Sequence, residues 1–160
     1  MWLFMYACYF LSMLTLACLL TGFFQSFTNF LVFNANHVSF IIFTSIVYSF
    51  TETLVIFFFV GTGVSIKEYT QTHHLDHTFH KRSIEIKRKV YPPLMLNILY
   101  MIILFVLVGG VDTYRVPKWI YQIVFVICIA DYIRIKIIQN ECFRINTRNI
   151  LNMSGIATNL

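Results

Sequence analysis

The sequence predicts an all-α integral membrane protein: a single helical bundle of four transmembrane helices, N-in/C-in. Three observations predict it. Of 160 residues, 58% are hydrophobic and only 12% charged, with a mean hydropathy of +0.72, whereas an average soluble domain carries about 25% charged residues. The charges are also segregated. Glu52 is the only Asp, Glu, Lys or Arg in residues 1–66, and residues 90–111 contain none. Finally, Lys and Arg concentrate in alternate connections between the apolar runs. Uncharged apolar runs of about 18 residues or more read as membrane spans. This pattern excludes a soluble enzyme, a disordered tail and a nucleic-acid-binding domain. The net charge of +5 lies beside the apolar runs, where it sets orientation or meets anionic headgroups.

The first span falls within residues 3–33. It lacks the basic start of a signal peptide, so it reads as a retained helix. A straight helix of that length would exceed the hydrocarbon thickness of about 30 Å, so a bend near Gly22 is expected. Asn34-Ala35-Asn36-His37 is the first turn, rich in capping residues. The second span covers residues 38–64 and ends at Gly61-Thr62-Gly63. Residues 67–91 read as a long polar cytoplasmic loop. Pro92-Pro93 then opens a third span over residues 92–110, since proline suits the first turn of a helix. Gly109-Gly110 and the polar residues after it make a short turn, and Pro117 opens the fourth span, residues 117–138. Residues 1–138 thus form the membrane domain, and residues 139–160 a cytoplasmic tail.

Orientation follows from the loops. Lys67, Lys81, Arg82, Lys87, Arg88 and Lys89 lie in the 67–91 connection, and Arg144 and Arg148 in the tail, whereas the opposite side offers Arg115 and Lys118. By the positive-inside rule both termini are cytoplasmic, or on the equivalent side of an organelle. Trp2, Tyr6, Tyr91, Tyr114, Trp119 and Tyr121 fall near predicted span ends, where amphipathic rings favour the interface.

Glu52 is the most informative residue. It lies near the middle of the second span, where an ionisable group costs on the order of 2.5–3.5 kcal/mol by insertion scales and normally faces protein or water. Ser45, Tyr48 and Ser49 share its helical face by spacing. Thr21, Gln25 and Asn29, spaced four apart, give the first span a matching polar face, so a polar seam between the two helices is expected. Two roles fit Glu52: a protonated acid bonding Gln25, Tyr48 or a carbonyl as interhelical glue, or a station for protons, ions or a ligand. In the fourth span Asp131 and Arg134 are spaced to pair, with Arg134 and Lys136 snorkelling to the surface. Asn97 and Tyr100 would add polar groups from the third span.

Residues 72–80 hold a histidine cluster. If that segment is helical, His73, His77 and His80 share one face with Asp76 nearby, a set able to ligate zinc, copper or iron. The alternative is a solvated, weakly pH-sensitive loop. No cofactor is predicted beyond a possible metal at that cluster. The spans contain no histidine for a bis-histidine haem, and no Walker, nucleophile-elbow, H-E-x-x-H or dinucleotide motif occurs. Cys8, Cys18, Cys128 and Cys142 have no metal or redox spacing.

A self-contained enzyme is therefore disfavoured. The expected function is an accessory or structural subunit of a larger membrane complex, with energy transduction among the candidates. Its partners would be the lipid bilayer and other membrane subunits, and no nucleic acid. Two alternatives stand beside it: a small proton or cation carrier built on the Glu52 seam, and a metal-binding membrane redox enzyme using the histidine cluster.

Overall fold

A computed structural model describes residues 2–28, 30–32, 34–153 and 155, the Trp2 side chain excepted. Of the described residues 89% are helical, in four helices with no strand among them: α1 (Trp2–Thr28), α2 (His37–Thr72), α3 (Thr78–Asp112) and α4 (Lys118–Met153). The first three are long and apolar enough to cross a membrane.

Contacts across the helices give the topology. Thr15 meets Thr51, and Phe4 stacks on Phe58, so α1 and α2 are antiparallel. Tyr48–Asn97 joins α2 to α3, Asn97–Asp131 and Lys89–Glu141 join α3 to α4, and Tyr9–Asn140 joins α4 back to α1. Each helix packs on its sequence neighbours, α1 closes on α4, and α2 and α4 face each other across the diagonal. One end of the bundle, here called the basic end, carries the turn 73–77 and the end of α4. The far end carries the turns 30–36 and 113–117.

Local signals explain the ends. The Asn36 side chain accepts from the Ser39 amide at 3.0 Å and caps α2. Asp76 accepts from the Thr78 amide at 3.1 Å and the Thr78 hydroxyl at 2.6 Å, satisfying the start of α3. The Thr113 hydroxyl donates to the Gly109 carbonyl at 3.0 Å and closes α3. Every turn also contains one non-glycine residue in the left-handed region: Asn34 (φ 60°), His74 (φ 49°) and Tyr114 (φ 58°).

Several boundaries differ from expectation. α1 is one helix from Trp2 to Thr28, unbroken at Gly22 where the sequence predicts a bend. Residues 67–91 are mostly helix, because α2 runs to Thr72 and α3 starts at Thr78. Pro92 and Pro93 lie inside α3 rather than at its start. α4 passes from 138 to 139 unbroken and continues to Met153, through most of the expected tail. These extensions are polar outside but keep Ile66, Thr70, Ser83, Ile86, Phe143, Asn146 and Asn149 buried. Hydropathy is a signal for lipid, and it falls silent where a helix leaves lipid but stays packed.

Two apolar clusters fill the axis. Towards the basic end are Val55, Phe58, Phe59, Ile86, Val90 and Phe143. Towards the far end are Leu19, Ile41, Met101, Leu104, Tyr121 and Phe125. The deep polar groups lie where the clusters meet. Outside, large apolar side chains are exposed along the bundle, among them Leu3, Phe10, Met13, Ile46, Phe57 and Val106.

Candidate functional site: a polar layer across the bundle

Glu52 is 1% exposed, and α4 supplies its partners. Lys136 Nζ donates to Glu52 Oε1 at 2.5 Å, and Gln139 Nε2 donates to Glu52 Oε2 at 2.9 Å. Lys136 also donates to Gln139 Oε1 at 2.9 Å, closing a triangle, and lies 4.8 Å from the centroid of the Tyr132 ring. Lys136 therefore points inward instead of snorkelling. An ammonium and a carboxylate in one largely buried layer cancel each other's charge, and Gln139 takes up one donor of the first and one acceptor of the second.

A second chain of contacts starts one turn away on α2. The Tyr48 hydroxyl donates to Asn97 Oδ1 at 2.6 Å, and Asn97 Nδ2 donates to Asp131 Oδ2 at 3.0 Å. Asp131 Oδ1 accepts from Arg134 Nη1 at 3.4 Å. The expected Asp131–Arg134 pairing forms, and the chain leaves the interior sideways between α3 and α4, since Arg134 is 65% exposed. Tyr132 touches both groups: its ring is 5.8 Å from that of Tyr48, and its hydroxyl donates to the Ser12 carbonyl at 3.1 Å.

The α1–α2 contact differs from the expected seam. Gln25 is fully buried, but its Nε2 donates to the Phe30 carbonyl at 2.9 Å and the Ala35 carbonyl at 3.2 Å, pinning the far-end turn. It does not approach Glu52. Thr21 bonds back to the Ala17 carbonyl of its own helix, and Asn29 lies outside the described residues. The link is instead Thr15 Oγ1 to Thr51 Oγ1 at 2.8 Å. On α2, Ser45 donates to the Ile41 carbonyl and Ser49 is exposed. A three-residue step falls about 60° short of a full turn, which carries Ser49 round to the rim of the Glu52 face.

Lys136, Gln139 and the Thr15–Thr51 pair were missed as site residues. Gln139 had a legible signal, because Tyr121, Phe125, Cys128, Tyr132, Ile135, Gln139, Cys142, Asn146, Asn149 and Met153 follow alternating four- and three-residue steps along α4. All but Met153 are buried.

The histidine cluster does not form one helical face. His73 caps the end of α2 with its ring 4.2 Å from that of Tyr69, His74 is in the left-handed region, His77 precedes α3, and His80 lies in its first turn. Asp76 spends both oxygens on Thr78, whose hydrogen bonds hold its carboxyl below the usual carboxylate range. Among the described residues no three His, Cys, Asp or Glu side chains converge to hold a metal ion. Of the aromatic anchors, Tyr114 and Trp119 are exposed as expected, whereas Tyr121 is fully buried and its hydroxyl lies 2.9 Å from His37 Nε2.

No protein-family model, curated protein or solved structure matches the chain.

Proposed function

We propose that the chain is a non-catalytic, structural subunit of a larger membrane complex, inserted through four spans with both termini on the cytoplasmic side. One observation carries the reading: both oxygens of Glu52 are spent on α4, and the layers above and below it are apolar. A group so held locks helices together. Val55, Phe58, Phe59 and Phe143 separate it from the basic end, and Leu19, Ile41, Leu104 and Phe125 separate Tyr48 from the far end. Among the described residues the axis of one chain therefore offers no continuous polar route for ions.

The fourth span and the orientation have their own support. α4 keeps an uncharged apolar run from Trp119 to Ala130 and lies antiparallel beside α3 and α1. The Lys and Arg excess collects at the basic end. Purification in mild detergent tests the subunit reading: the chain is expected to co-elute with larger membrane partners in fixed ratio. A stable, monodisperse chain without partners would overturn it.

The carrier reading retains one observation, a charged pair deep in the bundle. It predicts proton or cation flux in liposomes that Glu52→Gln abolishes, and absence of flux in the wild-type chain removes it.

A further inference from the structure

The interior polar chain ends in an unusual place. Arg134 is 65% exposed, yet its neighbours on the outer face of α4 are Ala130, Ile133 and Ile137, and the two isoleucines are themselves 45% and 66% exposed. Among the described residues its one hydrogen bond is the 3.4 Å contact to Asp131, a long single bond for a group with five donors. Asp131 is only 10% exposed and is shared with Asn97, so it cannot turn to meet the guanidinium in a two-bond fork. In lipid such a group is costly unless something takes its spare donors.

The direction of the side chain says what that something is. Helical side chains lean towards the helix N-terminus, and Arg134 reaches back to Asp131, away from the basic end. The nearest charged rim at that end is the exposed Lys89–Glu141 pair, seven residues further along α4, or about 10 Å along the axis. The guanidinium therefore points away from the headgroup phosphates of that leaflet. A carboxylate presented at the same depth by a neighbouring helix fits its planar donor fork.

We propose that this face of α3 and α4 seats a transmembrane helix of a partner subunit, through an Asp or Glu that pairs with Arg134 within the membrane. The inference rests on the subunit reading above and names its docking face. The test uses the full chain in its native membrane, with a photo-cross-linking residue in place of Ile137, and in place of Ile46 on the exposed side of α2 as a control. Adducts at Ile137 should map to an apolar partner peptide containing Asp or Glu. Their yield should fall by more than about tenfold in Arg134→Gln and largely survive in Arg134→Lys.

An undiminished adduct in Arg134→Gln overturns the proposal. So do adducts with phospholipid alone, or with a second copy of the chain. Should Arg134→Gln fail to fold, the peptide mapped with the wild-type arginine decides, since a sequence without Asp or Glu overturns the pairing. If the chain without a probe purifies alone, the subunit reading falls and this inference with it. If it purifies with partners that ignore Arg134, only the docking face is lost.

Discussion

Lys136 of α4 donates a 2.5 Å hydrogen bond to Glu52 of α2, joining the two helices that face each other across the diagonal of the bundle. Removing one partner strands the other's charge in a largely buried layer, at a cost of about 3–5 kcal/mol. Lys136→Met should therefore lower the unfolding midpoint sharply in a detergent titration. Glu52→Leu combined with Lys136→Met should recover most of the loss, because a neutral apolar layer needs no counter-ion. If the double variant is as unstable as Lys136→Met alone, the bond is not what joins α2 to α4.

Gly22 lies where α1 packs closely against α2 and α4. A Cβ placed there would lie 2.8 Å from Ile41 Cδ1 and 3.5 Å from the Phe125 ring. Gly22→Leu overfills this contact and should destabilise the bundle by about 1–3 kcal/mol. Gly61, with nothing within 4 Å of its would-be Cβ, is the control. Gly61→Leu should leave the isolated chain's unfolding midpoint nearly unchanged, and equal losses at both sites would refute the close approach.

Asp76 gives the start of α3 a pH dependence. Its carboxyl is held below the ordinary 3.8 by the Thr78 hydroxyl first and the Thr78 amide second. A depressed acid contributes stability that is present above its unfolded value and lost as pH falls through its folded value. Protection of the first-turn amides of α3, taken against the intrinsic exchange rate at each pH, should fall on acidification below 3.8 more than at the other helix ends. In Asp76→Ala that protection should be low at every pH. A wild-type turn whose protection ignores acid would show that the cap does not hold it.

His74 occupies the left-handed region at φ 49° while exposed to solvent. An ordinary side chain there costs about 1–2 kcal/mol, and glycine escapes the cost. His74→Gly should therefore raise the unfolding midpoint modestly, by an amount worth about 1 kcal/mol. A decrease would mean that the imidazole makes a contact that outweighs the strain.

Much of this was legible before the helices were assembled, and the limits have physical causes. The apolar runs of α1, α2 and α3, the turn around Asn36 and the Asp131–Arg134 pair are local features, and local spacing reveals them. Glu52 stood out because lipid makes a lone charge conspicuous. Its partner did not, because Lys136 is 84 positions away and a charge near a predicted span end reads as a snorkelling group until the helix rotation is known. Gln25 has the right spacing for the Glu52 seam but the wrong depth, and it serves the far-end turn. The histidines share no helical face for a backbone reason: a pattern of i, i+4, i+7 means one face only if the helix is unbroken, and the turn at residues 73–77 breaks it.

The polar middle of α4 also bears on how the chain enters a bilayer. In the four-span reading Asp131, Arg134 and Lys136 would each oppose insertion of α4 on its own, by at most about 2.5–3.5 kcal/mol, the value for a charge at a span centre. α2 is synthesised first and already carries Glu52. With four spans, the ion pair that holds the finished bundle would also set an order of assembly. α2 would keep its acid unpaired until α4 brings Lys136 to it.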